Sequence, residues 1–131
     1  MRVSRDQAKA NRTATVAAAA KLFRDLGYDG IGIASLMETV GQTHGAFYKQ
    51  FGSKDDVFAQ AIGQAAEDTE ALQARQLAKP AGLAAMIQVY LSAAHRDDRA
   101  RGCPFATMAV DAARRGPEVR AAVEAGLEAR I

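Results

Sequence analysis

Within seven residues the chain places Thr43, His44, Gly45, Tyr48 and Lys49, and Lys54 follows five residues later. A hydroxyl, an imidazole, a bare Cα, a phenol and two ammonium groups suit hydrogen bonding to base edges and neutralising phosphates. Thr43, His44 and Gly45 are the candidate base readers. Gly45 has no Cβ and lets the backbone approach a groove closely. Tyr48, Lys49 and Lys54 are the candidate phosphate contacts. Lys54 begins a helix, where free backbone amides also attract anions. Thr43 has a plain alternative role as an N-cap, and the cations have one as ordinary surface residues.

Catalysis is not expected. Two histidines and one cysteine make no Cys–His pair at a recognisable spacing, no metal-ligand cluster and no phosphate-binding glycine loop. No catalytic residue, metal or cofactor is assigned. Cys103, beside Pro104, reads either as a thiol favoured as thiolate at a helix start or as a small buried hydrophobe, and the second is preferred. His95, next to Arg96-Asp97-Asp98, reads as a surface residue.

The elements that hold these residues are helical. Pro and Gly punctuate the chain, and no β-branched run alternates with period two. A first helix is expected from about Asp6 to Leu26, stopped by Gly27. A second covers about Ile33 to Val40, and a third, capped by Thr43, runs from His44 to Gln50. Gly41-Gln42-Thr43 makes the tight turn between them. Phe47 and Phe51, four apart, belong to the core of this pair with Ile33, Leu36, Met37 and Val40. Ser53 caps a fourth helix with Asp55 and Asp56 in its first turn. Pro80 suits the start of a fifth, with an apolar stripe of Leu83, Met86, Ile87, Tyr90, Leu91 and Ala94. Arg96 to Gly102 reads as a loop, and Pro104 and Pro117 open two last helices. Two short helices joined by a Gly-containing turn match a helix-turn-helix, whose second helix enters the major groove.

Charge supports the same chemistry locally rather than globally. The net charge of +2 says little. Residues 1–24, however, hold Arg2, Arg5, Lys9, Arg12, Lys21 and Arg24 against the single acid Asp6, a basic arm of the kind that holds phosphates or, alternatively, a solvated helix face. Thirty of the 131 residues are alanine. The apolar fraction therefore buries little area per residue, and burial against a partner chain is expected to supplement it. No run of 18 or more apolar residues and no signal-type segment occur, so a cytoplasmic protein without membrane contact is expected.

The stretch from Arg12 to Ile62 closely resembles the N-terminal domain of the TetR family of transcriptional regulators. The matching pieces are Ala18-Ala19, Leu22-Phe23, Gly27-Tyr28, Ile33, Leu36, Gly41, Thr43, Gly45, Phe47-Tyr48, Phe51, Ser53-Lys54, Val57-Phe58 and Ile62, in order and without a gap. Gly102-Cys103-Pro104 and Pro117-Glu118-Val119-Arg120 resemble segments of the family's ligand domain. The resemblance implies an all-α protein: a helix-turn-helix head over residues 1–52, then a helical ligand-binding and dimerisation region over 53–131. It implies a homodimer on palindromic double-stranded operator DNA, most often a repressor, released by a small-molecule effector whose binding residues are not identified. Three residues depart from the pattern: His44 stands where Lys is frequent, Gln42 where a small apolar residue is usual, and Gly32 where Ser or Thr often caps. The chain is also short for the family, so a truncated product that dimerises weakly is expected. The alternative is a truncated interaction protein that pairs with related regulators without binding DNA.

Overall fold

The computed structural model of the chain describes residues 2–131. The regular elements are α1 (Arg5–Leu26), α2 (Ile33–Thr39), α3 (His44–Gln50), α4 (Lys54–Leu77), α5 (Gly82–Tyr90), α6 (Ala93–Asp97), a 3-10 turn (Arg99–Arg101), α7 (Pro104–Ala113) and α8 (Pro117–Glu128). All are helical, as the punctuation predicts. No helix of the described residues is long and apolar enough to cross a membrane.

Local chemistry sets the boundaries. Ser4 caps α1 by accepting from the Gln7 amide, Thr43 caps α3 by accepting from Ala46, and Ser53 caps α4 by accepting from Asp56. Each side chain satisfies one of the amides a helix start leaves free. Gly27 and Gly41 end α1 and turn α2 into α3 at φ of 79° and 70°, a region open to glycine at little cost.

The core forms where α1 crosses α4. Phe23, Tyr28 and Phe58 make an aromatic trio, with Phe58 edge-on to Phe23 at 4.8 Å and to Tyr28 at 5.0 Å between centroids. Leu36 and Met37 from α2 and Phe47 from α3 close it from one side. The same core continues past residue 52 through Val57, Ala61, Ile62 and Ala65 of α4 to Met108 and Ala112 of α7 and Val119 of α8.

The C-terminal part differs from expectation in three places. The fifth helix begins at Gly82 rather than at Pro80, which lies in the turn before it. Arg96–Gly102 is not an open loop; it ends α6 and forms the 3-10 turn, held against α1. The expected apolar stripe of α5 buries no residue: Leu83 is 62% and Leu91 75% exposed. The periodicity identified one face correctly as apolar, but α4 covers it only in part, with Met86 half-buried beside Leu72 and Gln76 while Leu83, Ile87 and Leu91 stay exposed.

Candidate nucleic-acid interface

α3 is short and amphipathic, and its two faces separate cleanly. Phe47 is fully buried, packs on Phe51 at 5.3 Å between centroids, and anchors the helix to the core. His44, Gly45, Tyr48 and Lys49 lie on the opposite, exposed side, beside the exposed Thr43. Tyr48 is 63% exposed, and its ring stacks beside the His44 imidazole at 6.0 Å. Five of the six expected residues therefore share one solvent-facing surface.

Gly45 is informative in a way the sequence alone is not. A Cβ built there would meet nothing within 4 Å. The packing of this chain does not need glycine, although glycine inside a helix costs about 0.5–1 kcal/mol relative to alanine.

Lys54 sits apart from this face, at the first position of α4, and is only half-exposed. Its ammonium lies 4.4 Å from the centroid of the Tyr28 ring, a cation–π contact that restrains a flexible side chain. The Arg115 guanidinium also lies 4.4 Å from that centroid. The Tyr28 hydroxyl donates to Asp55 at 2.6 Å, and the Tyr28 amide donates to Asp111 of α7 at 3.0 Å. Burial, then the bond to Asp55, pushes the Tyr28 pKa up. One residue in the α1–α2 loop thus joins the start of α4, where Lys54 stands, to α7 and the turn before α8.

A polar network fixes α3 against α1. Gln42, in the turn, donates through Nε2 to the Asn11 carbonyl at 3.1 Å and to Thr15 Oγ1 at 3.2 Å, and its Oε1 accepts from Gln50 at the end of α3. Arg12 donates to the Gln50 carbonyl and, at 2.8 Å, to Gln60 Oε1 of α4, while its guanidinium covers the Phe51 ring. Gln42, which stands where a small apolar residue is usual, ties both ends of α3 to α1.

The same contacts revise the basic arm. Arg12 is spent on α3 and α4. Arg24 is buried, donates to Ala20 and to the Gly102 carbonyl, and has its pKa pushed down by burial. Four cations of the arm remain exposed: Arg2, Arg5, Lys9 and Lys21. Arg5 lies two helical turns, about 10 Å, before Arg12 along α1.

Comparison with known proteins agrees with this geometry. Residues 16–61 match the family model described as bacterial regulatory proteins, tetR family, and residues 80–130 match the tetracyclin repressor-like C-terminal domain. The fold is similar to that of a transcriptional regulator of the TetR family from Agrobacterium tumefaciens. The TM-score is 0.77 at 21% identity, over 93% of this chain and 66% of that one. This chain therefore spans just under two thirds of that structure's length. No curated protein matches the sequence.

Proposed function

Since the chain belongs to the TetR family of bacterial transcriptional regulators, we propose that it reads operator DNA through α3, as a homodimer on a palindromic site. In this reading it is a repressor that works in the cytoplasm and is released by a small molecule. The observation that carries the reading is the open face of α3. It presents Thr43, His44, Gly45, Tyr48 and Lys49 together, with a bare Cα that the chain's own packing does not require. Residues at the N-terminus of a recognition helix meet base edges, and flanking cations meet phosphates. Thr43, His44 and Gly45 take the first role. Tyr48, Lys49 and Lys54 take the second, with the exposed cations of the basic arm, Arg5 and Lys9, as further phosphate contacts.

The division into a DNA-reading head, residues 1–52, and an effector and pairing region, residues 53–131, is part of the same proposal. In this reading the effector site is the small, partly open cavity between α4, α5, α6 and the start of α7. The intact reading face favours DNA binding over the alternative of a pairing protein that does not touch DNA.

The test is a paired replacement on the open face. His44→Ala with Lys49→Ala leaves the melting temperature within a few degrees of wild type, because both side chains are exposed, and abolishes binding to the preferred duplex in an anisotropy titration. Unchanged binding by this folded variant would remove α3 as the reading element.

A further inference from the structure

On the reading of Lys54 as a phosphate contact, we infer that Asp111 of α7 is a positioning residue for DNA binding: it holds Tyr28, and Tyr28 holds the start of α4, where Lys54 stands. The affinity of the head for DNA is then set in part by a carboxylate outside residues 1–52.

The contacts begin where α1 stops. Gly27 ends the helix at φ 79°, and the Tyr28 amide that follows donates to Asp111 Oδ2 at 3.0 Å, across 83 positions. The same oxygen lies 3.4 Å from the place a Cβ on residue 27 would occupy, so the carboxylate is packed against the helix stop. Tyr28 is buried, and a buried amide without an acceptor is unfavourable. Asp111 therefore fixes the loop backbone at the point from which the Tyr28 ring extends.

The ring and its hydroxyl carry that placement to α4. The ring is edge-on to Phe58 at 5.0 Å between centroids, the hydroxyl donates to Asp55 Oδ1 at 2.6 Å, and the Lys54 ammonium lies 4.4 Å from the ring centroid. The other Asp55 oxygen lies 3.9 Å from the Cβ position of Gly116, the N-cap of α8. Tyr28 is thus held at one end by a carboxylate of α7 and at the other by one of α4. A lysine side chain loses much rotamer freedom when a phosphate fixes it, and one already held on a ring loses less. Loosening the ring gives up that advantage, which amounts to about two- to tenfold in affinity.

Net charge acts in the opposite direction. Removing an acid makes the chain more positive, which favours DNA. Weaker binding without Asp111 would therefore not be a charge effect.

The experiment uses the full chain and a duplex selected from a random pool, with anisotropy titrations at several salt concentrations. Asp111→Ala is compared in the wild-type and Lys54→Ala backgrounds, with Asp111→Leu as a second helix-favouring variant in case the first fails to fold. Asp111→Asn keeps a side-chain carbonyl that can accept from the Tyr28 amide. We expect Asp111→Ala to weaken binding about two- to tenfold and to flatten the log–log salt slope by less than the roughly 0.9 of a whole phosphate contact. We expect it to add no loss in the Lys54→Ala background, and Asp111→Asn to restore affinity. A purely structural role would move the melting temperature but neither the salt slope nor the dependence on Lys54. Tighter binding by both Asp111→Ala and Asp111→Asn, or an equal loss in both backgrounds, would overturn the positioning role while Lys54 stood as a contact. Lys54→Ala with unchanged affinity and salt slope would instead overturn the phosphate contact, and the role of Asp111 with it.

Discussion

Gly45 separates stability from function at a single residue. In Gly45→Ala the new methyl enters open space on a helix that favours alanine. The variant should unfold at a slightly higher temperature, by about 0.5–1 kcal/mol of stability, and bind the preferred duplex more weakly. Calorimetry and anisotropy on the same sample decide this, and a variant that gains stability without losing affinity would leave Gly45 unexplained. Lys54 and His44 divide by role. Lys54→Ala should weaken binding to all sequences alike and flatten the log–log salt slope by about 0.9, the loss of one phosphate contact. His44→Ala or Thr43→Ala should also change which bases are preferred. Tyr28 gives a pH signature. Its folded pKa is raised above the usual 10.0, so its contribution to stability is present below pH 10 and is lost as pH rises through the folded value. The melting temperature should fall in that alkaline range, and Tyr28→Phe should remove part of the fall.

At the scale of elements, α3 is a seven-residue helix, too short to hold its own geometry. Phe47 holds it from beneath and the Gln42–Gln50–Arg12 network from its two ends. Phe47→Ala should cost about 3–5 kcal/mol and unfold the head rather than remove one contact. Gln42→Ala should cost about 1–3 kcal/mol, and the double variant with Gln50→Ala should cost less than the sum, because the two amides bond each other. Additive losses in that cycle would show that the network does not act as a unit. The starts of α3 and α4 were legible in the sequence because caps are local: Ser53 and Asp56, or Thr43 and Ala46, lie three residues apart. So was the separation of Phe47 from Tyr48, which follows from helical spacing alone. The network was not legible. Gln42 to Asn11 spans 31 positions and Arg12 to Gln50 spans 38, and no local pattern marks which of several polar residues will meet. Arg12 and Arg24 counted as free cations for the same reason.

The whole molecule shares one core but leaves large apolar side chains outside it. Leu83, Ile87 and Leu91 stand exposed on and just after α5, Val110 on α7 and Leu127 on α8. Periodicity predicts a face, and it does not say whether the chain itself or a second chain covers that face. Pairing through α7 and α8 would cover Val110 and Leu127. Leu127→Glu should then shift sedimentation toward monomer and lower affinity for a two-half-site duplex far more than for a single half-site, since the second head loses its high effective concentration. Equal losses on both duplexes would place Leu127 outside the pairing surface. The central claim is that α3 reads a specific DNA sequence, and its most direct measurement is selection of bound duplexes from a random pool by the full chain, at low and moderate salt. The account predicts enrichment of one palindromic or near-palindromic motif, bound more weakly as salt rises. A pool that stays random after repeated rounds, or binding indifferent to salt, would contradict it.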